Sequence, residues 1–152
     1  MNAKIIIGGT FALLGLFSLA IGQSKQDNIE RTLNPERLNA LIRTQHQFLL
    51  VGSSFPWVGL DKVLADGLRA KTMRLRILTS SEEIPRWRDW VKLGAVVRGH
   101  PGKPTGATLI VTENEAFVPD LKKGDTIIFS DLQTPKVLMD RLELAWTYAQ
   151  AP

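Results

Sequence analysis

Residues 47–81 read QFLLVGSSFPWVGLDKVLADGLRAKTMRLRILTSS, and the succession of patterns within them decides the fold. Phe48, Leu49, Leu50 and Val51 make a short apolar run closed by Gly52-Ser53-Ser54, which predicts a strand over 47–52 with an apolar centre. Leu60, Leu64 and Leu68 then recur every fourth residue, so a helix over 57–70 carries them on one face. From Met73 the period falls to two, with Arg74 and Arg76 alternating with Leu75 and Ile77, as in a strand over 73–79 whose polar positions meet solvent or a partner. Strand, helix and strand in that order argue for an α/β sheet covered by helices.

Both flanks extend this pattern. Upstream, Asn34-Pro35-Glu36 supplies a cap followed by proline at the first helical position, opening a helix to about 44. Downstream, Ser80-Ser81-Glu82-Glu83 signals a helix start, Ile84, Trp87 and Val91 mark its buried face, and Gly94 ends it. Short strands follow over 95–98, 108–112 and 115–118, with Glu113 and Asn114 in a tight hairpin turn. A turn at 122–125 leads to a strand over 126–129, and Thr134-Pro135 caps a final helix to about 150 with Leu138, Leu142, Ala145 and Ala149 toward the core. The expected fold class is α/β, a mixed β-sheet flanked by helices over 35–152.

The N-terminal region differs in kind. Residues 5–22, IIIGGTFALLGLFSLAIG, carry no charge and as a helix would be about 27 Å long, enough to cross a bilayer core. They read as a transmembrane anchor joined to the domain by a polar linker over 23–34; a cleaved signal peptide with Ser18-Leu19-Ala20 at its end is the competing reading. Gly8, Ala12, Gly15, Ser18 and Gly22 would let another membrane helix approach closely. Lys4 on one side of the span faces Lys25, Arg31, Arg37 and Arg43 on the other, which favours a cytoplasmic C-terminal domain on a single-pass membrane protein.

Taken together, residues 47–81 and the run WVKLGAVVRGHPGKPTGATLIVTENEAFVPD over 90–120 resemble a single copy of the phospholipase D superfamily domain, in order and spacing from about 43 to 150. The resemblance implies a fold that presents a His-x-Lys-x-x-x-x-Asp motif on a strand, and small members that dimerise to complete the site. Aligning Leu109, Ile110 and Val111 with the family's apolar strand places Thr105 at the histidine, Ala107 at the lysine and Thr112 at the aspartate. Threonine and alanine cannot attack phosphorus or steady phosphate oxygens, so the resemblance implies a degenerate motif and a pseudoenzyme.

Composition narrows the remaining chemistry. The 152 residues carry a net charge of +4, with 2 histidines and no cysteine, so thiolate metal sites, disulfides and a cysteine nucleophile are excluded. No carboxylate spacing suits zinc, and no cofactor is implied. His100 and Lys103 form the one alternative catalytic pair, although the intervening proline and glycine make a turn that separates their side chains. Arg74, Arg76, Arg86, Arg88 and Arg98 form the densest basic region, interleaved with Trp87 and Trp90; Arg74, Arg76, Arg86, Trp87, Arg88 and Trp90 are the expected partner-binding residues. The expected function is a non-catalytic, membrane-anchored subunit or assembly factor that binds a larger membrane protein complex beside the lipid bilayer. The alternatives are a membrane-tethered phosphodiesterase or nuclease using His100 and Lys103, a nucleic-acid tether, and a homodimer.

Overall fold

The computed structural model describes residues 28–101 and 108–151. The expected anchor over 5–22, with Gly8, Ala12, Gly15, Ser18 and Gly22, lies outside the described residues, as do Lys103, Thr105 and Ala107. Among the described residues no helix is long and apolar enough to cross a membrane.

The strands are β1 (Ile29–Thr32), β2 (Gln47–Val51), β3 (Arg74–Ser80), β4 (Val96–His100), β5 (Leu109–Thr112), β6 (Ala116–Pro119) and β7 (Thr126–Phe129). They form one mixed sheet in the order β1-β7-β6-β5-β2-β3-β4. β2, β3 and β4 run parallel, and every pairing from β2 outward through β5, β6, β7 and β1 is antiparallel. The helices are α1 (Pro35–Ile42), α2 (Leu60–Arg69), α3 (Arg88–Lys92) and α4 (Thr134–Tyr148).

β2 sits near the centre, and both its faces are covered. Phe48 and Leu50 belong to the core under α1 and α2, with Leu60, Leu64, Ile77 and Phe117. Leu49 belongs to the opposite core under α4, with Leu109, Phe129, Leu138, Leu142 and Trp146. A strand buried on both sides needs a continuous apolar run rather than alternation, which is why residues 48–51 carry one.

Three expectations are corrected. Residues 23–34 are not linker throughout, because β1 pairs with β7 from Ile29 opposite Phe129 to Thr32 opposite Thr126. Arg31 reinforces that edge by bridging Asp120 at 3.1 Å and Asp125 at 3.2 Å. The segment after β3 opens as a 3-10 helix, Ser81–Trp87, with Pro85 inside it, before α3 begins; proline lacks the N–H that an α-helical interior requires. Val91 consequently lies on the exposed side, at 44% exposure. Thr134 is the first residue of α4 rather than its cap: Asp131 accepts the backbone N–H of Thr134 at 2.6 Å and of Gln133 at 3.0 Å. The α1 cap is as expected, with Asn34 Oδ1 accepting from Glu36 N at 2.9 Å and Arg37 N at 3.4 Å.

Candidate functional site

Parallel strands deliver their carboxyl ends to one edge of the sheet, which is where α/β sheets commonly bind ligands. Here that edge collects Gly52-Ser53-Ser54 after β2, Ser80 at the end of β3 with Ser81 following it, and His100 at the end of β4. Gly52 adopts φ +138°, and a Cβ there would lie 2.6 Å from Thr108 Oγ1, so glycine lets β5 enter beside the exit of β2. Its N–H donates to Leu78 O at 3.0 Å.

Register places Ser80 directly beside His100 and Thr79 beside Gly99. Alternation puts Ser80 and His100 on the α4 face, and Thr79 and Gly99 on the other. Thr79 and Ser80 are buried, yet neither hydroxyl has a hydrogen-bond partner, nor do Ser81 Oγ or Trp87 Nε1. Glu83 Oε2 lies 3.5 Å from Arg86 without a hydrogen bond. A serine nucleophile needs a base within hydrogen-bond reach. Ser80 has none despite its neighbour.

Burial holds the His100 imidazole below its ordinary range, favouring the neutral ring. A depressed histidine pKa gives stability that is present above the unfolded value of about 6.5 and is lost as pH falls through the folded pKa. His100→Asn is therefore expected to flatten the fall in stability below about pH 6.5, read from urea midpoints across pH. An unchanged slope would place the acid sensitivity elsewhere.

Thr112, which the family resemblance would align with an aspartate, is a structural hub. Its hydroxyl is buried and accepts from Glu115 N at 2.9 Å and Asn114 N at 3.3 Å. Its single proton reaches either Gln45 Oε1 at 3.1 Å or Glu115 O at 3.2 Å. Glu113 in the same hairpin accepts from His46 N at 2.9 Å and Gln47 N at 3.1 Å. Thr112→Val keeps the shape and orphans these partners, so a loss of about 1–3 kcal/mol is expected in chemical denaturation. A neutral substitution would show that the hairpin does not depend on the hydroxyl.

The arginine and tryptophan set divides. Arg74 is exposed at the start of β3. Arg76 pairs with Glu143 and lies 5.2 Å from the Trp146 ring. Arg98 lies 4.8 Å from the same ring and donates to Trp146 O at 2.9 Å. Trp87 is a core residue, 3% exposed, set edge-on to Phe55 with centroids 5.3 Å apart, so its ring is not available to a partner. Trp90 is half-buried against Phe55 at 4.7 Å. Arg86, Arg88 and Val91 are exposed around it, and this surface of the 3-10 helix and α3, together with Arg74, is what remains open of the expected interface. The Arg76, Arg98, Trp146 and Glu143 cluster was not legible from spacing, because its members lie on three separate elements; the regular placing of Arg76 and Arg98 on polar strand positions was the available signal. Among the described residues no three His, Asp or Glu side chains are grouped to hold a metal.

No family model matches the sequence, and no curated protein matches it. Among solved structures the fold is similar to TrmBL2, an archaeal chromatin protein whose structure shows a novel mode of DNA binding, with a TM-score of 0.60 at 15% identity. The alignment covers 98% of this chain and 64% of that one, so the chain spans less than two thirds of TrmBL2. At that identity the likeness concerns the fold alone.

Proposed function

We infer that this chain is a non-catalytic, membrane-anchored subunit or assembly factor of a larger membrane protein complex, using a degenerate phospholipase D-like domain as a binding surface. The observation that carries this reading is Thr112: where the family resemblance asks for an aspartate, a buried hydroxyl is engaged by the hairpin's own backbone. Residues 5–22 supply the anchor, and Arg86, Arg88, Trp90 and Val91 supply a surface of the composition that protein interfaces favour.

Extraction of the full chain in mild detergent, followed by native size separation and mass spectrometry, tests it. A stoichiometric membrane complex that is lost in Arg86→Ala/Trp90→Ala is expected. A lone monomer or homodimer would sink the subunit reading and reopen the phosphodiesterase alternative on His100 and Lys103.

A second reading is a nucleic-acid tether, favoured by the fold likeness to a chromatin protein. It predicts DNA affinity that falls steeply and linearly on a log-log salt plot. Absence of salt-dependent binding would remove it.

A further inference from the structure

We propose that the amino end of the sheet faces an anionic phospholipid surface, with the carboxyl end turned away from it. The proposal rests on the anchor reading above and adds to it which end of the domain meets lipid.

Chain direction carries most of the inference. Four successive antiparallel pairings separate β1 from β2, so β1 runs parallel to β2, β3 and β4. The chain therefore enters the domain at the amino end, where Asn28 O accepts from Ser130 N at 2.9 Å. Only residues 23–27, Gln-Ser-Lys-Gln-Asp, separate that point from the apolar run over 5–22. Fully extended, such a stretch reaches roughly 20 Å. A bilayer holding residues 5–22 cannot be far from this end.

The side chains at that end suit such a neighbour. α1, α2 and α3 all terminate there, and cations are favourable at helix carboxyl termini. Arg43, Lys71 and Arg74 are exposed beside these termini, and Lys136 is exposed in the first turn of α4. The acids at this end are engaged: Glu113, itself exposed, accepts from the backbone N–H groups of His46 and Gln47, Asp131 accepts from the start of α4, and the exposed Asp66 and Asp89 pair with Arg69 and Lys92. Among the described residues Arg43, Lys71, Arg74 and Lys136 make no ion pair, so the charge left unpaired here is positive, as attraction to anionic headgroups requires. In the turn after β7, two residues from Ser130, Leu132 is 93% exposed. A leucine held out beside a basic rim matches the boundary between headgroups and acyl chains. Lys122 and Lys123 at the far end are also exposed, so charge alone does not choose between the ends; chain entry does.

The chain has no cysteine, so single labels can be placed cleanly. The full chain carrying a fluorophore at Leu132→Cys or at Leu121→Cys would be reconstituted into phosphatidylcholine vesicles containing about a third phosphatidylglycerol and a headgroup nitroxide quencher. Leu121 is a matched control, 78% exposed at the opposite end. Several-fold stronger quenching at position 132 is expected. Equal quenching, or stronger quenching at 121, in protein that floats with the vesicles overturns the orientation while leaving the anchor standing. Failure to float removes the anchor reading and this one with it. In Arg43→Gln/Arg74→Gln/Lys136→Gln the difference in quenching between vesicles with and without phosphatidylglycerol is expected to shrink; an unchanged difference overturns the role of the basic rim.

Discussion

Trp146→Ala is expected to destabilise the domain by about 3–5 kcal/mol, the range for emptying a buried tryptophan site. Trp146 is 7% exposed and closes the α4 core with Leu138 and Leu142 below it. It is also the platform on which Arg76 and Arg98 rest, with the guanidinium carbons 5.2 and 4.8 Å from its ring. Removing the ring leaves both arginines without their aromatic face, although Arg98 keeps its bond to the backbone carbonyl of residue 146. A domain of this size is held by about 5–15 kcal/mol in total, so the variant would lose a large share of its stability. Trp146→Phe retains a ring and most of the volume and should cost substantially less. Urea midpoints followed by circular dichroism give both values; a loss under about 1 kcal/mol for the alanine variant would mean that α4 does not dock through this residue.

The same cluster shows where sequence reasoning stops. The apolar run over 48–51, the leucines of α2 and the alternation of β3 report periods that belong to single elements, and each of those elements is present. β1 was missed because Ile29–Thr32 is a short edge strand with the burial pattern of half-exposed chain, and its partner β7 is almost one hundred residues away. Trp87 carries two expectations, a place on the buried face with Ile84 and Val91 and a role in partner binding; the first holds, with the ring in the core while Arg86 and Arg88 stay outside. Val91 leaves that face because the segment opens as a 3-10 helix, which turns at a different period from an α-helix. Pairing of Arg76 with Glu143 depends on which face of the sheet α4 covers, and no local pattern encodes that choice. At the carboxyl end, residue types were legible but their satisfaction was not: only the register that sets Ser80 beside His100 shows that the two neighbours remain unbonded.

Gly99→Ala tests how tightly the 3-10 helix is seated on β4, and a loss of about 1–3 kcal/mol is expected from overpacking. A Cβ at residue 99 would fall 2.5 Å from Ile84 Cδ1, 2.8 Å from Ser81 Cα and 3.0 Å from Ser81 Oγ. Ile84 can rotate its terminal carbon away, and the serine hydroxyl can turn. The backbone Cα of Ser81 has no such freedom, so the whole segment must lift from the sheet. Gly99 is also clasped on its outer edge, donating to Gln150 O at 2.8 Å and accepting from Gln150 N at 2.9 Å, which prevents β4 from retreating. The double variant Gly99→Ala/Ile84→Ala separates the two contacts. If Ile84 were the sole obstruction, the two substitutions together would cost much less than the sum of their separate losses. Because Ser81 Cα remains, only partial relief is expected. Arg86 and Trp87 ride on the displaced segment, and Arg88 and Trp90 follow directly in α3. Gly99→Ala should consequently weaken partner binding without altering one exposed side chain. Full stability with full binding would show that the 3-10 helix moves freely on β4, and would remove the rigid seating on which the proposed interface depends.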